Sequence, residues 1–168
     1  MIPEIKKILY ATDLSKNSSY AFYYAIQLAR KFDATITILH AIEPIPLYIE
    51  AYAVSVAQKV EEEDRQKTVE HIQHLLQEFC KKVETQIGSP CLVLISNMFV
   101  RISHPVEEIL KVADEERCDA IVLGSHGKGF LKQAFLGSVS SAVLHRSRKP
   151  VFIIPIPSEK EDANWDGI

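Results

Sequence analysis

Ile8-Leu9-Tyr10-Ala11-Thr12-Asp13 is a short apolar run stopped by polar residues, and Thr35-Ile36-Thr37-Ile38-Leu39 is a second, rich in β-branched residues and stopped near Glu43-Pro44. Both have the length and composition of buried strands. Between them Ala21, Ala25, Leu28, Ala29 and Phe32 recur at helical spacing behind the candidate caps Ser15 and Asn17. This spacing predicts a helix of about four turns. Strand, helix and strand in that order make a βαβ unit.

The same alternation continues downstream. Pro44–Ser55, with two prolines and the aromatics Tyr48 and Tyr52, reads as a loop or lid ahead of a long helix with Val60, Val69, Ile72, Leu76, Phe79 and Val83 on one stripe. Gly88-Ser89-Pro90 ends that helix, and Cys91-Leu92-Val93-Leu94-Ile95 is the expected third strand. Pro105 suits a first helical position, and Val106, Ile109, Leu110 and Ala113 mark the helix behind it. Ala120–Leu123 and Val151–Ile154 read as the fourth and fifth strands, with a short helix around 138–147 between them. Strands apolar on both sides and alternating with helices argue for an α/β fold, a mostly parallel sheet covered on both faces and joined by right-handed crossovers. Ligands of such sheets sit beyond the carboxyl ends of the strands, where neighbouring connections leave toward opposite faces.

At 168 residues the chain is the size of one domain. With 47% hydrophobic and 24% charged residues it has the matter for a full core, which excludes disorder, collagen and small disulfide scaffolds. The apolar stretches, around 36–41, 121–123 and 151–157, fall far short of the roughly 20 residues that cross a bilayer. The first residues reach an apolar strand with no long apolar leader, so the cytoplasm is the expected compartment. The net charge of −3 is concentrated in the tail 158–168, where Glu159, Glu161, Asp162 and Asp166 face Lys160 alone. The expected division is therefore a domain over 1–157 and an acidic, flexible tail. A charge-balanced body has no global field for nucleic acid or an anionic membrane, so any anion must be held by local geometry. Cys80, Cys91 and Cys118 are odd in number and lack metal-binding spacing, and they read as buried reduced thiols.

The densest chemical signal is Gly124-Ser125-His126-Gly127-Lys128-Gly129 directly after the fourth strand, followed by Gly137-Ser138 at the start of the last helix. Glycines let backbone amides approach an anion, and the helix start adds donors at a positive dipole end. The segment is not a P-loop, because Phe130-Leu131 stands where Lys-Ser/Thr is required. It is not a dinucleotide fingerprint either, because Gly127-x-Gly129 lacks the third glycine. From residue types alone, a phosphate cradle and a glycine-rich turn before a Ser-capped helix remain equally open.

Gly124, two residues, Gly127, nine residues and Gly137-Ser138 together resemble the G-2x-G-9x-G-S/T motif of the ATP-binding branch of the universal stress protein family. Lys6–Asp13 is similar to that family's opening strand and acidic turn, Leu39–Ile42 to its second strand end, and Ser147–Val151 to its closing strand. The likeness spans Ile5 to about Pro155. It implies a single-domain Rossmann-like fold of the adenine nucleotide alpha hydrolase type: an open, parallel five-stranded sheet of order 3-2-1-4-5 that binds ATP, with Mg²⁺ or Mn²⁺, at the ends of strands one and four. It also implies a homodimer through the last strand, Val151, Phe152, Ile153 and Ile154, where Pro155 and Pro157 limit further strand addition.

In that likeness Asp13 and the backbone near Ala41 hold adenine and ribose, Gly124 and Gly127 line ribose and phosphates, and Gly137, Ser138 and Val139 meet the phosphate tail. Ala11, Thr12, Leu123, Ser125 and Lys128 complete the expected nucleotide-binding set, with no catalytic residue and no metal ligand assigned. A carboxylate after the first strand can accept hydrogen bonds from sugar hydroxyls or an exocyclic amine, and Asp13 can equally cap the following helix. One departure is Ser103, where the family often has the glycine of Gly-x-Pro.

Other candidates weigh less. His71 and His74, three apart on the long helix, have no third ligand nearby and read as solvated. His126, Lys128 and Lys132 are either phosphate contacts or surface groups, and Glu61-Glu62-Glu63-Asp64 is a solvated face. Ser140 and Ser141 read as packing and capping hydroxyls. Two functions compete with a nucleotide-binding regulatory module. One is a slow ATP hydrolase or phosphotransferase, which lacks a Walker lysine, paired metal-binding acids and an evident nucleophile. The other is a structural dimer with a vestigial loop, against which the intact Gly124, Gly127, Gly137 and Ser138 argue.

Overall fold

A computed structural model describes residues 2–44, 57–126 and 136–155 of the chain. The order is β1 (Lys7–Ala11), α1 (Lys16–Phe32), β2 (Thr35–Ile42), α2 (Ala57–Ile87), a 3₁₀ turn (Leu92–Leu94), β3 (Ile95–Ile102), α3 (Pro105–Glu115), β4 (Ala120–Gly124), α4 (Ser138–Arg146) and β5 (Val151–Ile154). The five strands form one sheet in the order β3-β2-β1-β4-β5, and every neighbouring pair is parallel. The expected architecture and strand order are both met.

Period-two alternation divides the core between the two faces of this sheet. Ile8, Tyr10, Ile36 and Ile38 pack with Phe22, Ile26 and Ala29 of α1 and Leu76, Phe79 and Val83 of α2. Leu9, Ala11, Leu39, Ile121 and Leu123 point the other way, onto Ile109, Val112 and Ala113 of α3 and Val143 of α4. Thus α1 and α2 cover one face, and α3 and α4 the other.

Local signals set the helix ends. Ser15 is the N-cap of α1, its hydroxyl accepting from the Ser18 amide at 3.2 Å, and Asp33 closes the helix in the left-handed conformation with its N–H on the Ala29 carbonyl. Arg30 and Lys31 lie in the last turn, where positive charge complements the helix dipole. Pro105 opens α3 as expected, behind His104.

The third strand lies elsewhere than its apolar run suggests. Residues 92–94 form a 3₁₀ turn with Val93 78% exposed, and the strand is Ile95–Ile102. Two things divert the run. The Glu84 carboxylate accepts from the backbone N–H of Cys91 at 2.7 Å and of Leu92 at 2.6 Å, consuming donors that a ladder would need. A register shift between Ile36 and Thr37 then admits an extra residue beside Ser96, whose hydroxyl donates to the Ile36 carbonyl. As an edge strand, β3 also tolerates the exposed Ser96, Asn97 and Arg101, which hide it from a search for apolar runs.

Those two amides, Leu92 first and then Cys91, hold the Glu84 carboxyl below its usual range. A depressed folded-state pKa gives stabilisation that is complete above the unfolded value of about 4.3 and is lost as pH falls through the folded one. Glu84→Gln is therefore expected to lower the urea midpoint at pH 7, with the gap from the parent closing toward pH 3. A gap that persisted at pH 3 would mean that the carboxylate charge is not what fastens this turn.

All three cysteines are buried. Burial pushes the Cys80 thiol up to about 12, and the Cys91 and Cys118 thiols up to about 11, so they are protonated at neutral pH and inert as nucleophiles. The expectation of buried reduced thiols is met. Among the described residues no helix is long and apolar enough to cross a membrane.

Candidate functional site

The connection after β1 departs to α1 on one face of the sheet, and the connection after β4 leads to α4 on the other. The two strands are neighbours, paired Tyr10 to Val122. The crevice between their carboxyl ends is therefore the switch point of the sheet. Asp13 and Ser125 each stand three positions past that pair, so the acidic turn and the start of the glycine segment meet at one level.

On the β1 side, a knot of short polar side chains shapes the turn. Asp13 Oδ1 accepts from the Ser15 amide at 3.0 Å and from the Ser18 hydroxyl at 2.7 Å. Thr12, itself buried, takes the Leu14 amide on its hydroxyl and shares a 2.9 Å bond with Ser18 Oγ. Leu14 is held at φ 64°, a left-handed conformation costing a non-glycine residue on the order of 1 kcal/mol or more. Below, the Tyr10 hydroxyl donates to the Ser18 carbonyl at 2.8 Å, and burial drives this phenol far above its ordinary range, so it remains a donor. Asp13 thus serves the helix start through one oxygen, the capping role left open by its sequence.

His40 joins this turn to β2. It is 6% exposed, and its Nδ1 lies 2.7 Å from the Thr12 carbonyl, which fixes that nitrogen as the protonated donor. The Thr12 amide donates to Leu39 O, and the Ser103 amide to Ile42 O, so the ends of β1, β2 and β3 are laced together around Ala41. Sequence reading placed His40 only in a strand end. The signal available was a polar residue inside an otherwise apolar strand, a position that burial permits only with a hydrogen-bond partner.

On the β4 side, the chain leaves the sheet at Ser125, whose amide donates to the Ile154 carbonyl, and returns at Gly137, whose amide donates to Ser125 O; both bonds are 2.7 Å. Ser140, 6% exposed, donates from its hydroxyl to Gly124 O at 2.7 Å, fastening the first turn of α4 to the end of β4. Gly137, not Ser138, is the N-cap of α4, so the helix is not Ser-capped. Among the described residues no side chain caps it, and its first turn carries no acid. First-turn amides at the positive end of a helix are a donor set that fits a phosphate group. Arg146 on α4 forms a paired hydrogen bond with the Glu107 carboxylate, holding α4 against α3.

The structure therefore gathers Thr12, Asp13, Gly124, Ser125, Gly137 and Ser138 at one mouth, with Ala41 one strand away. Ala11 and Leu123 belong to the core beneath it, so they can offer a ligand only backbone, and Val139 is half-buried against the same core. Gly127, Lys128, Gly129 and Lys132 lie outside the described residues, as do residues 45–56 of the expected lid and the acidic tail. Among the described residues no group of three His, Cys, Asp or Glu side chains could hold a metal ion.

A parallel five-stranded sheet with its crevice at the β1/β4 switch point defines an open α/β protein of Rossmann-like architecture. The sequence model of the universal stress protein family matches residues 4–155, and the chain belongs to that family. It is similar to Universal stress protein MJ0577 of Methanocaldococcus jannaschii, 30% identical over 158 residues that cover 89% of this chain and 94% of the relative. The solved structure of MJ0577 superposes with a TM-score of 0.73, covering 94% of this chain and all of the other. Two more distant structures share the fold. A universal stress protein in complex with cAMP has a TM-score of 0.59 at 24% identity, covering 90% of this chain and 98% of the other. An Arabidopsis thaliana family protein with AMP bound has a TM-score of 0.58 at 20% identity, covering 95% and 97%.

Proposed function

We propose that this universal stress protein is an adenine-nucleotide-binding regulatory module that takes ATP in the β1/β4 crevice. The observation that carries the reading is the Ser125–Gly137 closure: it sets an uncapped, acid-free helix start beside Gly124 and level with the Asp13 turn. The amides of Gly137, Ser138 and Val139 would hold the phosphate tail, with Gly127 and Lys128 contributing from the intervening sequence. Asp13 and the backbone at Ala41 would hold ribose and adenine. A Mg²⁺ or Mn²⁺ ion would be carried by phosphate oxygens. The nucleotide complexes of the two distant family members lend support.

The homodimer through Val151–Ile154 belongs to the same proposal. In the single chain Val151, Phe152 and Ile153 stay half-buried on an edge strand, an apolar border suited to a symmetric partner.

Calorimetry with ATP and AMP is expected to give saturable binding of both. Asp13→Ala, which removes a charged acceptor from the turn, should weaken it by about tenfold, the worth of one hydrogen bond to a charged group. Failure of the parent protein to bind either nucleotide would sink the reading.

A further inference from the structure

Ile36, Ile38 and Ile42 of β2 pack on the face of the sheet that α1 and α2 cover. By period-two alternation His40 belongs to the same face, a buried imidazole where a fourth aliphatic side chain would complete the stripe.

This ring changes how the backbone ladder ends. The β1–β2 register closes with Ala11 opposite Leu39, and the Thr12 amide adds one more bond, to Leu39 O at 2.9 Å. In a parallel ladder the next bond would run from the Ala41 amide back to the Thr12 carbonyl. Among the described residues that bond is not made, and the donor on Thr12 O is His40 Nδ1, 2.7 Å away. Thr12 donates to Leu39 O, while the Ser103 amide beyond β3 donates to Ile42 O, so odd positions at this end of β2 face β1 and even ones face β3. The Ala41 N–H is therefore turned toward the β1 side of the mouth with its ladder acceptor already taken, on a residue that is only half-buried.

The same bond orients the next peptide unit. Among the described residues every peptide is trans, so the Thr12 C=O and the Asp13 N–H point opposite ways. With the carbonyl held toward β2, the Asp13 amide is turned to the β4 side, where the crevice lies. One imidazole thus sets the direction of two main-chain donors.

We infer that His40 is a positioning residue for the nucleotide base: by occupying the Thr12 carbonyl it keeps the Ala41 N–H for an acceptor nitrogen of adenine. The inference rests on the nucleotide reading and adds how that site takes its base. Adenine presents ring nitrogens that accept hydrogen bonds, and a donor fixed before binding loses little freedom in meeting one.

The test is amide-resolved NMR of the full chain, hydrogen exchange first and then titration with AMP, on the parent, His40→Ala and His40→Asn. In the free parent the Ala41 amide is expected to exchange at least about tenfold faster than that of Leu39, which lies inside the ladder, and to shift on adding AMP. His40→Ala returns the Thr12 carbonyl to the ladder, so the Ala41 amide should become protected while AMP affinity falls about tenfold. His40→Asn is the conservative rescue, since its side-chain N–H can take the same carbonyl, and it should restore both the fast exchange and most of the affinity. A merely structural histidine would lower the melting temperature without changing which amide is protected.

An Ala41 amide as protected as that of Leu39 in the free parent, an Ala41 signal that bound AMP does not move, or a folded His40→Ala protein with parent-like affinity would each overturn the inference. The first two are read on the parent alone, so they decide even where His40→Ala does not fold. A titration flat at every amide would instead overturn the nucleotide reading, and this inference with it.

Discussion

Gly127→Val is expected to reduce ATP affinity by about 100-fold, roughly 2.7 kcal/mol, while leaving the melting temperature nearly unchanged. Both ends of the glycine segment are fastened. Ser125 is anchored to Ile154, and Gly137 is anchored back to Ser125, so the intervening residues start and finish at one point of the crevice rim. Main-chain donors bond phosphate oxygens only within about 2.7–3.2 Å, a distance that a branched side chain among them would deny to the ligand. Each hydrogen bond to a charged group is worth about 1.5–3 kcal/mol, so losing one or two accounts for the fall. Gly127→Ala, with one methyl, should fall between parent and valine. Calorimetry on the three proteins, with thermal melts alongside, decides the matter. Equal affinity in parent and valine variant would remove the crevice from the nucleotide's path, and a collapsed melting temperature would make residue 127 structural.

Where the sequence could be read and where it could not follows from what each residue is asked to do. β1, β2 and β4 are buried on both faces and paired on both edges, so their composition is mostly apolar and their positions were plain. β3 is paired on one side only, carries Ser96, Asn97 and Arg101, and lies beyond a turn made by a carboxylate from another element. No local pattern announces such a strand. The glycine spacing and Asp13 pointed to the right end of the sheet because turns and close backbone approach leave marks in residue type. The fastenings were silent: His40 to Thr12, Ser140 to Gly124 and Gly137 to Ser125 each join residues distant in sequence. A histidine or serine in an apolar run says that a partner exists without saying which.

Phe22→Ala is expected to produce the largest loss of stability of any single change considered, about 3–5 kcal/mol. Phe22 is fully buried, its ring centroid 4.9 Å from that of Tyr10 and 5.3 Å from that of Phe79. One side chain thereby ties α1 to β1 and to α2. Its removal leaves a cavity walled by two large rings and the sheet, which cannot collapse without moving a helix. Against a typical domain stability of about 5–15 kcal/mol this is roughly a fifth or more of the total, so the urea midpoint should drop sharply. Phe22→Leu, which keeps most of the volume, should cost far less. The effect should also reach the crevice. Tyr10 leans on Phe22 and donates to Ser18 O, while the Ser18 hydroxyl donates to Asp13, so slack in the ring stack passes to the turn that carries the carboxylate. Unfolding curves that moved by less than about 1 kcal/mol would show that the core has another keystone. A large loss with nucleotide affinity intact in the folded fraction would show that the Thr12–Ser18 knot holds its shape by its own hydrogen bonds.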